Sequence, residues 1–393
     1  MKHYFVRLRL FFRKFNSPKS EGLLFRLLSA ILVSLLLCPS LSVADDITVS
    51  GSPTIGAMPV IITAFANPAT GDVYPPGATD YYVFSYFDTG STKVRLDQTT
   101  SNSLGISAGM APTIRINGMS AINPVTLNAP IYANQAQAEI GGVGVTVNTS
   151  LAIPLIGAPV ANQVSAVINY NNTITRGPYA YLGGQNVSGP DITFYQTPNS
   201  SPGYTPAIQV ALGRYYQSGT VNGETFGQTY LMDNVKFTEG ANLIASPASG
   251  DPYGTAFDGK RFLYDTATDV TMLRDTTLAA ALGLINPEFY TNVGGSNLPG
   301  FYLDSLTMTG INGDTYTVLD VPVVVAGADM IGVYDAIIGS NVFSQTQLLF
   351  DGPDNLLGIG VSGTGTAVPE PSTMLLLGSG LFGLWGLRRK FKK

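Results

Sequence analysis

Two short segments of the chain each place an aspartate beside a threonine and a small residue. Residues 87–91 read Phe-Asp-Thr-Gly-Ser, and residues 264–268 read Tyr-Asp-Thr-Ala-Thr. Two carboxyl groups that face each other cannot easily both ionise, so they share a proton and their pKa values separate. The ionised group can then take a proton from water while the other donates to a carbonyl oxygen. Asp88 and Asp265 are therefore candidates for paired acid and base chemistry.

The composition of the central part of the chain excludes most other catalytic chemistries. His3, Cys38 and Trp385 are the only residues of their kinds, so residues 45–367 contain no histidine, cysteine or tryptophan. Serine triads need an imidazole, thiol proteases need a cysteine, and common zinc sites use His or Cys. We therefore expect no metal site and no cofactor. A calcium loop at residues 351–355 is the alternative, but it lacks the closing glutamate of an EF-hand, which favours a hairpin turn.

The charge of the central part is strongly negative. Residues 45–367 contain nine basic and 24 acidic residues, a formal net charge of −15, whereas the whole chain has −5. Such a surface repels nucleic acid. We expect no nucleic-acid partner.

Short apolar runs separated by turn signals predict a mostly β protein around both aspartates. Residues 81–87 and 316–325 are such runs, and the Asn-Gly pair within residues 311–314 indicates a hairpin. Residues 275–284 have Thr-Thr near their start and an Ala-Ala-Ala-Leu body, which predicts one short helix.

A second repeated element follows each aspartate at a similar distance. Residues 155–157, which read Leu-Ile-Gly, follow Asp88, and residues 337–339, which read Ile-Ile-Gly, follow Asp265. When these two elements are aligned, further positions match at the same spacing, namely Val160 with Val342, Gln163 with Gln345, Ile168 with Phe350 and Asn169 with Asp351. This internal repetition predicts two related lobes, each of which supplies one aspartate.

The arrangement resembles the two-lobed, pepsin-like aspartic peptidases, whose lobes each supply one Asp-Thr-Gly turn and an apolar-apolar-Gly segment threaded behind it. The similarity spans about residues 81–360 and is strongest at the first turn and in residues 336–343. It implies an all-β, two-lobed pepsin-like acid-protease fold. It also implies an aspartic-type endopeptidase with Asp88 and Asp265 as the catalytic dyad and a peptide or protein substrate between the lobes.

The resemblance assigns supporting roles to the other residues of the two turns. Ser91 and Thr268 would hydrogen-bond the outer carboxylate oxygens, and Thr89 and Thr266 would cross-brace the turns. Gly90 belongs to the same supporting set. So does Ala267, which departs from the family pattern by replacing a glycine. If that position has a positive φ, the replacement costs about 1 kcal/mol or shifts the aspartate.

Other readings of the site remain open. Asp269 adds a third carboxylate, whose charge would raise the pKa values of the dyad or displace it. Tyr132, which follows Asp88 in the first lobe, is the candidate for the family's flap tyrosine, and a tyrosine in a half-buried strand is the alternative. The two aspartates would otherwise only cap turns. The remaining alternative is a catalytically inactive pepsin-like β-protein of the cell surface or extracellular matrix.

The N-terminal segment, residues 1–44, has the order of a signal peptide. Seven basic residues are followed by an apolar run over residues 27–37 and by Ser-Val-Ala at 42–44, which predicts cleavage before Asp45. An uncleaved membrane anchor is one alternative, although the run is short for a span. A lipoprotein signal at Cys38 is another, but large leucines precede that cysteine.

The last residues resemble the PEP-CTERM sorting signal of Gram-negative bacteria. Pro369, Glu370 and Pro371 precede a short apolar run at 374–387, and a basic tail follows at 388–393. The run is marginal for a bilayer of about 30 Å, and the basic end should remain cytoplasmic. In that family an exosortase in the inner membrane removes the tail.

These features give a layout for the whole chain. Residues 1–44 are the predicted signal peptide, and 364–393 are the sorting signal with its short transmembrane segment. The lobes are predicted at 45–175 and 251–363, with 176–250 as the inter-lobe segment and the start of the second lobe. The expected partners besides substrate are signal peptidase, exosortase and, before processing, the inner membrane. The expected destination is the cell surface, the extracellular matrix or the medium.

Overall fold

The computed structural model describes residues 46–77, 81–120, 137–149, 151–179, 184–195, 204–215, 218–246 and 260–360. These parts of the chain are mostly β-strand. Across these ranges every helix is too short or too polar to cross a bilayer. The signal peptide, the sorting segment and the terminal helices predicted for them lie outside the described residues.

The first lobe is a seven-stranded sheet with two short helices. In chain order its region contains β1 (Ile47–Ser50), β2 (Val60–Ala66), β3 (Val83–Phe87), β4 (Val94–Asp97), α1 (Gln98–Leu104), β5 (Thr113–Gly118), β6 (Gln137–Ile140), β7 (Val145–Asn148), β8 (Leu155–Ile156) and α2 (Ala158–Ala161). The strand order of the sheet is β6-β5-β2-β3-β8-β4-β7. Asp97 caps α1 by accepting a hydrogen bond from the Thr100 amide at 2.9 Å.

The remaining elements belong to the inter-lobe sheet, to the second lobe and to a separate two-stranded hairpin of β12 and β13. They are β9 (Ser165–Tyr179), β10 (Gln185–Tyr195), β11 (Ile208–Tyr215), β12 (Gly219–Val221), β13 (Glu224–Phe226), β14 (Thr229–Met232), β15 (Val235–Glu239), β16 (Asn242–Ala245), β17 (Phe262–Tyr264), β18 (Thr271–Leu273), α3 (Thr276–Ala281), β19 (Phe289–Val293), β20 (Ser296–Thr309), β21 (Thr315–Val325), α4 (Ala328–Ile331), β22 (Ala336–Ile338), a 3₁₀ helix (Ser340–Phe343), β23 (Gln347–Asp351) and β24 (Leu356–Ile359).

The two lobes repeat one pattern of strand pairing around each aspartate. In the first lobe β3 pairs in parallel with β8, β8 pairs antiparallel with β4, and β4 pairs in parallel with β7. In the second lobe β17, β22, β18 and β21 repeat these three pairings in the same order and directions. The predicted all-β, two-lobed pepsin-like fold is thereby confirmed.

A shared antiparallel sheet joins the lobes, with the order β10-β9-β23-β24-β11. At its centre β9 pairs with β23 so that Val167 lies opposite Leu349, with Ser165 opposite Asp351 and Asn169 opposite Gln347. Val167 and Leu349 are also equivalent positions in the alignment of the sequence repeat. Each strand therefore meets its own counterpart, and an approximate two-fold axis passes through this pair.

An aromatic cluster connects the shared sheet to the strands that carry the aspartates. Phe87, which precedes Asp88, packs edge-on against Phe350 with ring centres 5.9 Å apart. Tyr264, which precedes Asp265, lies 6.1 Å from the same ring. All three side chains are buried. The two aspartate-bearing strands thus end against one core that spans both lobes.

The local predictions away from the aspartates are also confirmed. The helix expected within residues 275–284 is α3, and the Asp275 carboxylate caps it by accepting from the amides of Thr277 and Leu278. The turn at residues 311–314 joins β20 to β21, and the turn at 351–355 joins β23 to β24 as a hairpin.

Two segments pair with the lobe opposite to the one that their sequence position suggests. Strand β1, at the start of the predicted first lobe, pairs in parallel with β21 of the second. The hairpin of β12 and β13 lies against the first lobe, where the Thr225 amide donates to the Gly144 carbonyl at 3.1 Å. The Lys93 ammonium beside it forms an ion pair of 2.6 Å with Glu224.

Candidate active site

Each candidate aspartate comes directly after a strand, and the neighbouring strand in the sheet is the one that carries the apolar-apolar-Gly element. The Asp88 amide donates to the Ile156 carbonyl at 3.0 Å, and the Asp265 amide donates to the Ile338 carbonyl at 3.2 Å. The glycine that follows permits close packing, because a Cβ at Gly157 would stand 2.2 Å from the Lys93 carbonyl oxygen. The repeated sequence element therefore fixes where each aspartate begins its turn.

Backbone amides of each turn reach back to the carboxylate. Asp88 Oδ1 accepts from the amides of Gly90 at 3.0 Å and Ser91 at 2.8 Å, and Asp265 Oδ1 accepts from the Ala267 amide at 2.9 Å. The Thr268 hydroxyl donates to Asp265 Oδ2 at 2.7 Å.

The predicted symmetry of the two hydroxyl residues does not hold at Ser91. Its hydroxyl donates to the Lys93 carbonyl at 3.0 Å, so Ser91 reaches Asp88 only through its backbone amide. The reason is local, since the chain turns back after Ser91 and brings that carbonyl within reach of the short side chain. The Ser91 hydroxyl therefore does not bind Asp88 in the way that the Thr268 hydroxyl binds Asp265.

Two threonines bind the turns to each other across the lobes. The Thr89 amide donates to Thr266 Oγ1 at 3.1 Å, and the Thr266 amide donates to Thr89 Oγ1 at 3.1 Å. The Thr89 hydroxyl also donates to the Tyr264 carbonyl at 3.0 Å, and the Thr266 hydroxyl donates to the Phe87 carbonyl. Both threonines are buried. This reciprocal contact places the two aspartates face to face.

The two carboxyl groups are close enough to shift each other's pKa values. Burial, followed by the nearby Asp265 charge, raises the pKa of Asp88 well above the usual range of an aspartate. Burial also raises the pKa of Asp265, while the hydrogen bonds from Thr268, from the Ala267 amide and from Asp88 act against that rise. Both pKa values are raised, so the pair as a whole holds a proton more readily than two separate aspartates would. Titration belongs to the pair because the groups are coupled.

The two small residues of the turns occupy different surroundings. Neither Gly90 nor Ala267 has a positive φ, so the strain considered for Ala267 does not arise. Gly90 is required for a different reason, because a Cβ there would come within 2.5 Å of the Asp265 carboxyl carbon. Ala267 carries such a methyl group on the opposite turn, and the backbone of that turn still bonds its aspartate.

The charge of Asp269, which the sequence suggested could raise the pKa values of the dyad, is not among the principal causes of their shifts. The principal causes of the shifts at Asp88 and Asp265 are burial, each other and the hydrogen bonds of their own turns. The charge of Asp269 acts instead on the phenol of Tyr86. Arg95 opposes the rise at Asp88, a contribution that the motif alone did not indicate.

Sequence reasoning also missed a polar support under the second turn. Asn341 Oδ1 accepts from the amide and the hydroxyl of Thr271 at 2.9 and 2.8 Å, and its Nδ2 donates to the Pro322 carbonyl at 3.1 Å. All of Asn341 is buried. The available signal was its position shortly after Gly339 in the repeated segment.

Some predicted residues cannot be placed at this site. Tyr132 and the sorting residues 369–371 lie outside the described residues. In the described parts of the chain, acidic, histidine and cysteine side chains form no group of three or more that would hold a metal ion.

Comparison with known proteins gives one short sequence match and several structural ones. The PEP-CTERM protein-sorting motif matches residues 367–390, which confirms that prediction. No protein of curated function matches the chain by sequence. An aspartic proteinase from Irpex lacteus covers 79% of this chain and 98% of its own at 12% identity, with a TM-score of 0.36. Soybean basic 7S globulin covers 78% and 97% at 10% identity, with a TM-score of 0.37. Conglutin gamma from lupine seeds covers 78% and 95% at 8% identity, with a TM-score of 0.35.

Proposed function

We propose that this exported, pepsin-fold protein is an aspartic-type endopeptidase that uses Asp88 and Asp265 to hydrolyse peptide bonds. The observation that carries the proposal is the reciprocal Thr89–Thr266 contact, which brings the turns of the two aspartates together. The pKa is raised at both carboxyl groups, so the pair can hold one proton, with one group protonated and the other ionised. A pair in these two states supplies an acid and a base without an imidazole.

The asymmetry of hydrogen bonding assigns a role to each carboxyl group. Both oxygens of Asp265 accept hydrogen bonds from its own turn, whereas both amide donors to Asp88 reach Oδ1. Asp265 is therefore the proposed ionised group, which takes a proton from a water molecule that attacks the peptide carbonyl carbon. Asp88 donates its proton to the carbonyl oxygen, which gives a neutral tetrahedral diol. Collapse of the diol passes a proton to the leaving nitrogen and returns the pair to its singly protonated state.

The other residues of the two turns hold the two carboxyl groups in position for this step. Thr268 and the Ala267 amide hold the Asp265 carboxylate, and the Gly90 and Ser91 amides hold Asp88. Because the Thr89–Thr266 contact ties the turns directly, neither carboxyl group can move without the other. Such fixed geometry accounts for much of the rate gain in hydrolysis.

The sorting motif supports an export route with a membrane-anchored intermediate and exosortase-dependent processing. Signal peptidase would remove residues 1–44. An inner-membrane exosortase of a Gram-negative cell would then act at residues 369–371 and release the body to the surface, the extracellular matrix or the medium. A peptidase delivered this way meets extracellular peptides and proteins as substrates.

The test is cleavage of unstructured protein by the purified protein across acidic pH. Asp88→Asn and Asp265→Asn should each lower kcat by at least about a thousandfold, since each removes one proton-transfer partner of the pair. Asp72→Asn is the matched control, because Asp72 is exposed. Cleavage that persists in both dyad variants would disprove the assignment.

A second candidate, an inert pepsin-fold protein that binds peptides without cleaving them, is favoured by one observation. Ala267 places a methyl group where the symmetric turn tolerates only glycine against the opposing carboxyl group. Peptide binding without turnover in the wild-type protein, with turnover in Ala267→Gly, would support this candidate.

A further inference from the structure

The hairpin of β12 and β13 lies against the segment that follows the first aspartate turn. The Gly227 amide, just after β13, donates to the Thr92 carbonyl at 2.8 Å. Lys93 and Phe226 form an antiparallel bridge, and the Lys93 ammonium lies 4.5 Å from the centre of the Phe226 ring. Together with the ion pair between Lys93 and Glu224, these contacts attach residues 92 and 93 to the hairpin.

The attached segment in turn supports the Asp88 carboxylate. The Lys93 carbonyl accepts from the Ser91 hydroxyl at 3.0 Å, and the Lys93 amide donates back to that hydroxyl oxygen at 3.4 Å. The Ser91 amide is the closer of the two backbone donors to Asp88 Oδ1, at 2.8 Å. A displacement of Lys93 would therefore move a residue that directly holds the carboxylate.

The same stretch of chain continues into the strand beside the second aspartate. Three residues after Gly227, Tyr230 of β14 pairs with Tyr264 of β17, which directly precedes Asp265. Three residues span at most about 11 Å, so the hairpin contact and the strand pairing cannot move far apart. Residues 224–230, called the clasp below, therefore connect the two aspartate segments by a route separate from the threonine contact.

The hairpin fits closely against the first lobe. The Thr225 amide donates to the Gly144 carbonyl at 3.1 Å, and the Thr225 hydroxyl accepts from the Gly144 amide at 2.7 Å. A Cβ at Gly144 would stand 2.0 Å from the Gly223 carbonyl oxygen, whereas a Cβ at Gly141 would come no closer than 4.0 Å to Thr113 Oγ1. Neither Gly144 nor Gly141 has a positive φ. A methyl group would therefore displace the hairpin at one of these positions and not at the other.

We propose that the clasp is a positioning element of the dyad, which acts through Lys93 on the turn of Asp88. Glu224 and Phe226 hold the Lys93 side chain, and the Gly227 amide holds the carbonyl that precedes it. Both charged side chains are partly exposed, so the ion pair alone contributes little. A shift of about 1 Å in a reacting group lowers the rate by about a hundredfold, so even a smaller shift of the turn would be measurable.

Gly144→Ala tests the clasp without changing a residue of the dyad. The inference rests on the proposed function, so the first assay is peptide cleavage per folded molecule, with the folded fraction taken from circular dichroism. We expect kcat to fall by about tenfold or more and KM to change by less than about threefold, because the substrate contacts stay the same. Gly141→Ala is the matched control and should keep the wild-type values.

A milder pair of variants applies if Gly144→Ala does not fold. Lys93→Met keeps an unbranched side chain against the ring but loses the charge, and it should lower kcat by about two- to fivefold. Lys93→Arg keeps the charge and should retain the wild-type kcat. A clasp that only stabilised the fold would lower the unfolding free energy and leave kcat per folded molecule unchanged, and that result would overturn the proposal.

The pH dependence of stability separates failure of the clasp from failure of the proposed function. Because the pKa of Asp88 is raised, the unfolding free energy should fall as pH rises above about 4. If no peptide is cleaved, a smaller fall in Gly144→Ala than in Gly141→Ala would keep the clasp and reject the peptidase, and equal falls would reject both. Cleavage with the same kcat in every variant would keep the peptidase and reject the clasp.

Discussion

The reciprocal threonine contact allows a quantitative test of how the site is held together. Thr266→Val keeps the shape of the side chain but removes the hydroxyl that accepts from the Thr89 amide and donates to the Phe87 carbonyl. These backbone groups are buried, and each one left without a partner costs about 1–3 kcal/mol. We therefore expect the variant to lose about 2–6 kcal/mol of its free energy of unfolding.

Guanidinium unfolding followed by circular dichroism measures this loss. Thr266→Ser is the matched control, because it keeps both hydroxyl contacts and loses one methyl group, worth about 1 kcal/mol. The slope with denaturant should be unchanged, which would show that the variant alters stability and not the unfolded chain. A valine variant within about 0.5 kcal/mol of wild type, the usual effect of an unimportant substitution, would refute the reasoning. So would a serine variant as unstable as the valine one.

Three further predictions address the charge, the packing and the hydroxyl groups near the dyad. Because the pKa of Asp88 is raised from 3.8, the folded chain keeps a proton that the unfolded chain releases, so unfolding free energy should fall as pH rises above about 4. Asp88→Asn should reduce that fall in denaturant titrations at several pH values. Gly90→Ala would bring a Cβ within 2.5 Å of the Asp265 carboxyl carbon and should lower kcat/KM by about a hundredfold, whereas Ala267→Gly should not lower it. Tyr264→Phe removes a buried hydroxyl that has no hydrogen-bond partner among the described residues, so unfolding free energy should stay the same or rise by up to about 1 kcal/mol, and a clear loss in thermal melts would contradict this.

The alignment of the internal repeat was the most informative feature of the sequence. It matched residues 165–169 with 347–351, and these are the strands that pair about the two-fold axis. Local signals also sufficed for α3 and for the hairpin turns, because capping and turn chemistry depend on neighbouring residues. The position of each aspartate after an apolar strand likewise followed from the local pattern.

Contacts between distant segments could not be predicted in the same way. Nothing in residues 47–50 indicates that β1 pairs with β21, because that choice depends on which strand edge is open in the folded chain. The family resemblance likewise gave the Asp88 carboxylate as the acceptor for the Ser91 hydroxyl, whereas in the folded chain the hydroxyl donates to the Lys93 carbonyl. The type of a residue therefore predicts which of its groups can form a hydrogen bond, but the partner of that group depends on the fold.

The β9–β23 pairing also determines how this protein can misfold. Strand side chains alternate between faces, so the smallest slip of β23 that keeps its apolar face inward is about two residues, a shift of about 6.6 Å. Such a shift exceeds the reach of the Thr89–Thr266 contacts, which bring the two carboxyl groups together. Refolded material should therefore divide into molecules with a complete dyad and molecules with none. The loss of activity in a preparation would then equal the fraction of inactive molecules. The turnover number per active site would stay constant.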